Sequence, residues 1–139
     1  MIFSESLRNA SLDALVAELS PFRVAFYSGT VPTLASDAIT GTKLLTFDIG
    51  AGTGCDWQAA SAGSVLRATD AMVASTINAG TATHWRLYKV GDNPDDATSA
   101  TGLKRIQGTC SGNNPDAILD TTDIQTGQTY NLGNVKLDF

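Results

Sequence analysis

Between Ser4 and Leu19 the apolar positions Leu12, Leu15, Val16 and Leu19 follow the i, i+3, i+4, i+7 spacing of one helix face. Leu7, Ala14 and Ala17 add residues of low helical cost. The pattern predicts a helix over 4–19. Ser4 suits the N-cap, and Glu5 stands in the first turn, where the helix dipole favours an acid. Pro21 ends the helix by pushing Ser20 out of the α region.

Past Pro21 the period becomes two. Phe22, Val24 and Phe26 share one face of the run 22–28, and Leu45, Phe47 and Ile49 share one face of 43–49. The run 83–90 is apolar on both sides, with Trp85 and Leu87 against Tyr88 and Val90. That predicts a central strand touched on both faces. Shorter strands are expected within 103–109 and 117–120. A long final strand over 130–139 changes register by one at Gly133-Asn134, as a β-bulge would. Residues 55–80 are rich in Ala, Ser and Thr and keep no single period; 64–68 and 72–77 are the candidate short strands there. The expected core is Phe22, Val24, Phe26, Leu45, Phe47, Ile49, Trp85, Leu87, Leu132, Val135 and Leu137.

Many short strands punctuated by Gly, Asn and Pro, with no alternating helices, read as a β-sandwich or barrel. The chain of 139 residues carries no internal repeat and no long linker, so a single domain over 1–139 is expected: the helix at 4–19, then β structure over 22–139. A chain of this length buries roughly 65–70% of its unfolded surface, enough for one core.

Charge narrows the function classes. Nine Lys and Arg against fourteen Asp and Glu give a net charge of −5. No basic cluster is present to neutralise phosphates, which argues against a nucleic-acid partner and against an anionic membrane surface. No apolar run reaches the 18–20 residues or so needed to span a bilayer. Residues 1–8 lack the basic and apolar regions of a secretory signal, so cytoplasmic synthesis without export by that route is expected.

The candidate chemistry is thin. Gly50-Ala51-Gly52-Thr53-Gly54 follows a strand but lacks the spacing and the βαβ context of a phosphate loop, and reads as a turn. Cys110 in Gly108-Thr109-Cys110-Ser111-Gly112 imitates a nucleophile elbow, with His84 the one histidine available as base. An Asn-Asn-Pro loop follows instead of a helix, and His84 lies inside a strand, so a partly exposed strand histidine is expected. Cys55 and Cys110 form no CxxC pair; both are expected to be packing thiols, and whether they pair with each other stays open. Asp92, Asn93, Asp95 and Asp96 offer oxygen ligands without EF-hand spacing, and Asp116, Asp120 and Asp123 do the same. Both groups read as solvated turns. Trp57, Trp85, Tyr27 and Tyr88 would make a stacking platform only with interleaved Arg and Lys, and are expected in the core. No catalytic residue, cofactor site or metal site is expected.

The order of segments carries a resemblance. It runs from the helix Leu7-Arg8-Asn9-Ala10 to Leu12-Asp13-Ala14-Leu15, through Phe26-Tyr27-Ser28-Gly29-Thr30-Val31-Pro32 and Gly41-Thr42-Lys43-Leu44-Leu45. Then come Ala79-Gly80-Thr81-Ala82-Thr83-His84-Trp85-Arg86-Leu87-Tyr88, Ile106-Gln107-Gly108-Thr109 and Ile124-Gln125-Thr126-Gly127-Gln128-Thr129-Tyr130. This layout resembles small virion proteins of tailed bacteriophages, and by size and arrangement is similar to capsid cement (head decoration) proteins. The resemblance implies an antiparallel jelly-roll-like β-sandwich with one N-terminal helix. It also implies a non-enzymatic protein that binds the outside of the major capsid protein lattice, made in the host bacterial cytoplasm and located on the capsid exterior. It implies no catalytic residues and no cofactor. A tail or head–tail connector component is one alternative. A carbohydrate- or receptor-binding β-sandwich, using the loops at 30–42 and 91–102, is another.

The helix adds an expectation about assembly. Its apolar positions (Leu7 and Leu12 as well as Leu15, Val16 and Leu19) spread beyond one narrow stripe. Self-association into a dimer or trimer is expected, with the helix or the segment after it in the subunit contact.

Overall fold

Ser4 opens the helix as its sequence predicts. In a computed structural model its hydroxyl oxygen accepts from the Leu7 N–H at 3.4 Å, and α1 runs over Glu5–Leu19. The structure describes residues 2–49, 59–62, 64–66, 72–75, 77–98, 102, 104–110, 117–119 and 121–138. The strands follow in chain order: β1 (Phe22–Tyr27), β2 (Lys43–Ile49), β3 (Ser64–Leu66), β4 (Met72–Ser75) and β5 (Gly80–Thr81). After these come β6 (His84–Lys89), β7 (Arg105–Thr109), β8 (Ala117–Leu119), β9 (Asp123–Ile124) and β10 (Thr129–Asp138). The protein is mainly β with one helix.

One antiparallel sheet has the order β2-β1-β6-β7. The strand read as central from its sequence, β6, is indeed interior, paired with β1 on one side and β7 on the other. Val90 does not extend it: the residue lies in the turn past the strand end and is exposed. A second group is built on β10, whose first residues pair with β4, its middle with β8 and its end with β3. Its register shifts between Leu132 and Asn134, which places the expected bulge. The two-residue strands β5 and β9, which no sequence period announced, pair with each other.

The core lies between one face of the four-stranded sheet and β10. Phe22, Val24, Phe26, Phe47, Trp85 and Leu87 pack there with Leu19 of the helix, Ile124, Tyr130 and Leu132. Phe26 and Phe47 meet edge-to-face at 5.9 Å. Leu12 and Leu137 close a smaller cluster under the helix, with Leu15 and Val16 half-buried against it. Of the expected core, the side chains of Ile49 and Val135 lie outside the described residues. Leu19, Ala82, Cys110, Ile124 and Tyr130 join it, and so does Leu44. The β1–β2 register pairs Phe26 with Leu45 but Tyr27 with Lys43, so Leu44 is a bulged residue with no partner on β1. Its carbonyl accepts from Ile77 N at 2.6 Å and Asn78 N at 3.1 Å, and its side chain is fully buried.

Candidate functional site

The second face of the sheet is also covered, and it is polar. Alternation along β6 places His84, Arg86 and Tyr88 there, and the register sets Gln107 beside Arg86 and Arg105 beside Tyr88. Arg86 and His84 are fully buried, and Arg105 is nearly so. Buried guanidinium groups need several acceptors. The connections 28–42 and 91–98 supply them.

Arg86 Nη1 donates to the carbonyls of Asp37 (2.9 Å) and Pro94 (2.6 Å), and Nη2 donates to Gln107 Oε1 at 2.7 Å. Gln107 Nε2 in turn donates to the Pro32 carbonyl at 2.8 Å. Arg105 takes Asp92 side-on and reaches the carbonyls of Asn93, Asp96 and Thr98. The two connections also bind each other, Ile39 N donating to the Asp95 carbonyl at 2.9 Å. Two glycines close the neck of the first connection. A side chain on Gly41 would collide with the Ser28 carbonyl, and Gly29 sits at φ +88° with Gly41 against it. The outcome is a pair of loops clamped backbone-first to a rigid sheet, presenting Val31 and Leu34 to solvent.

This corrects the reading of Asp92, Asn93, Asp95 and Asp96 as a solvated turn. Asp92 is buried in an ion pair with Arg105. Asp95 accepts from the Tyr27 hydroxyl at 2.9 Å and pairs with Lys43 at 2.8 Å. Burial first, and Asp95 second, hold the Tyr27 phenol well above its ordinary value. Asp96 stays exposed and accepts from Asn93 Nδ2 at 2.7 Å. Among the described residues no group of His, Cys, Asp and Glu is arranged to hold a metal ion. Asp116 and Asp120 lie outside the described residues, while Asp123 accepts from Gln125 Nε2 at 3.0 Å.

His84 is likewise not partly exposed but wholly buried, stacked on Tyr27 with ring centroids 5.3 Å apart. Alternation separates it from Cys110. Thr109 is the residue opposite His84 in the register, so Cys110 falls on the other face, in the core cluster with Trp85. Burial pushes the Cys110 thiol up to about 12, which favours the protonated form at neutral pH. Ser111, Gly112, Cys55 and the glycine cluster at 50–54 lie outside the described residues. So does Trp57; Trp85, Tyr27 and Tyr88 are all buried, and none offers a stacking face.

Part of the helix's apolar surface is taken up by the protein itself. Leu12 and Leu19 are 1% and 2% exposed and belong to the protein's own core, with Leu15 and Val16 packed against it. Leu12 and Leu19 are therefore closed to a subunit contact, and Leu15 and Val16 are half-buried. What stays exposed is the start of the helix: Ile2, Phe3 at 52% and Leu7 at 50%, with Phe3, Leu7, Arg8 and Ser11 lining an open, largely apolar groove.

No described helix is long and apolar enough to cross a membrane. No family model matches the chain, no curated protein matches its sequence, and no solved structure matches its fold.

Sequence reasoning missed Arg86, Arg105 and Gln107. The available signal was two arginines and a glutamine inside strands that are otherwise apolar or small. Such residues, once buried, demand backbone acceptors from whatever covers them.

Proposed function

We propose that the protein is a non-enzymatic structural component of a tailed-bacteriophage virion, a cement protein that binds the outer surface of the major capsid protein lattice. In this reading the sheet and the strands around β10 are the two layers of a jelly-roll-like sandwich. The observation that carries it is the clamped loop pair. Arg86, Arg105 and Gln107 hold 28–42 and 91–98 in one conformation, so docking them on a lattice costs little ordering entropy. A small, preorganised footprint repeated across a shell gains avidity from effective concentration rather than from any one tight contact. Self-association as a dimer or trimer would multiply footprints further, with the exposed start of the helix as the contact.

The test is copy number. Purified particles should carry hundreds of copies per shell, released by Leu34→Asp in the loop without loss of the fold. A handful of copies would place the protein in the tail or connector instead. Saturable binding to glycans in the absence of particles would favour the receptor-binding reading.

A further inference from the structure

We infer that His84 makes the clamped loop pair acid-releasable: protonation of its buried ring lifts 29–42 and 91–98 off the sheet while the four strands stay paired. The tautomer follows from a hydroxyl. Thr83 Oγ1 lies 2.8 Å from the Gly29 carbonyl and 3.2 Å from the Tyr27 carbonyl, and its one proton is committed to them. With that proton assigned to the nearer Gly29 carbonyl, Thr83 Oγ1 accepts from His84 Nδ1, 2.9 Å away. Nδ1 therefore carries the ring proton, and Nε2 is a bare lone pair, buried, with no partner among the described residues. A second proton has nowhere else to land, and it creates a buried cation with no acceptor beside it.

The surrounding charges do not relieve it. On the same strand, Arg86 is a second buried cation and Tyr88 a phenol. From β1, Tyr27 stacks on the ring and directs its hydroxyl to Asp95. Lys43 of β2 lies 6.0 Å from the Tyr27 ring centre, and β7 contributes Thr109 opposite His84 and Arg105 further along. The loop carboxylates are engaged elsewhere: Asp95 by Tyr27 and Lys43, Asp37 by the Leu34 N–H, Asp92 by Arg105, Asp96 by Asn93. Burial, and then Arg86, hold the imidazole below its ordinary value.

The ring regains water most cheaply by displacing what covers that face. Ile39 of the first loop packs there against Ala25, Tyr27 and Tyr88. The strands β1 and β6 are each paired on both sides and resist. Opening frees an imidazole of ordinary affinity, so the open fraction grows as pH falls below about 6.5, by at most about tenfold per pH unit. This goes beyond the capsid reading and does not depend on it.

Hydrogen exchange on the full chain tests it between pH 7.5 and 5.0, with rates corrected for intrinsic pH dependence. The Ile39 amide, bonded to the Asp95 carbonyl, should lose up to about tenfold protection per unit below about pH 6.5. Amides of β1 and β6 should keep theirs. His84→Phe, which preserves a ring on Tyr27 without a titrating nitrogen, should make the Ile39 profile flat. Constant Ile39 protection in the wild type, loss in step with β1 and β6, or the same loss in His84→Phe would each overturn the inference. Should that variant fail to fold, nitrogen NMR of the wild-type ring decides: a neutral Nδ1–H ring while Ile39 is protected, charging in step with the loss of that protection, upholds it. A charged ring under a still-protected Ile39 defeats it.

Discussion

Arg105 and Asp92 meet side-on with neither side chain exposed, Nε 2.5 Å from Oδ2 and Nη2 2.9 Å from Oδ1. The remaining guanidinium bonds go to loop carbonyls, so one side chain on β7 fixes the backbone of 91–98 through its own counter-ion. Bringing two charges out of water is expensive, and their attraction roughly offsets that cost. The pair therefore matters less for net stability than for what happens when half of it is removed.

Asp92→Asn should destabilise the protein by about 3–5 kcal/mol, because it leaves the Arg105 charge buried without compensation. Asp96→Asn, at an exposed carboxylate a few residues on, should cost less than about 0.5 kcal/mol. Urea unfolding of both variants compares them directly. Equal, small effects would mean that the loop is not held through Arg105.

Gly108 offers a second contrast. The Trp85 indole packs against it, and a Cβ there would stand 2.5 Å from the ring. Trp85 is buried among Phe26, Leu87 and Leu132, so it cannot swing aside cheaply. Gly108→Ala should cost about 1–3 kcal/mol by overpacking. Gly102→Ala, with open space at its Cβ but φ +77°, should be strained by about 1 kcal/mol through the backbone alone. Thermal melts followed by tryptophan fluorescence report on both, and a Gly108→Ala melt indistinguishable from wild type would contradict the packing argument.

How much of this was legible follows from how each element is specified. Leu12, Leu15, Val16 and Leu19 with Ser4 and Pro21 determine α1 locally, and the helix begins and ends where those residues say. The inward faces of β1 and β6 are written in period two and came through whole. Leu44 did not, because a bulge is set by the partner strand and by where Ile77 and Asn78 find an acceptor, which no period records. Asp92 and His84 were misplaced for a related reason. Their burial depends on loops folding back over a sheet face, and those loops are held by Arg86 and Arg105 from distant parts of the chain. Polar residues in a loop look solvated until their long-range partners are known.

Cys110 should be inert in the folded protein. With the thiol at about 12, only about one in ten thousand is ionised at pH 8, and the side chain is nearly closed to solvent. In a Cys55→Ser background an aromatic disulfide reagent should leave Cys110 untouched over minutes and modify it fully once urea is added. Prompt reaction under native conditions would show that the core at Cys110 opens, or that the thiol is not buried there.

Substitutions at the buried and exposed positions of α1 separate folding from assembly. Leu12 is 1% exposed beneath the helix, so Leu12→Asp buries an unpaired carboxylate and should cost more than about 3 kcal/mol, enough to unfold a marginal domain. Phe3 and Leu7 are each about half exposed, so Phe3→Asp with Leu7→Asp should leave the melting temperature within a few degrees of wild type. Light scattering on purified protein then reads the contact. A wild-type dimer or trimer that becomes monomeric in the Phe3/Leu7 variant, with its fold intact by circular dichroism, assigns the interface to the start of the helix. An oligomer that survives both changes moves the contact elsewhere, β7 being one candidate as an outer strand of its sheet. A wild-type monomer at tens of micromolar would refute self-association in solution.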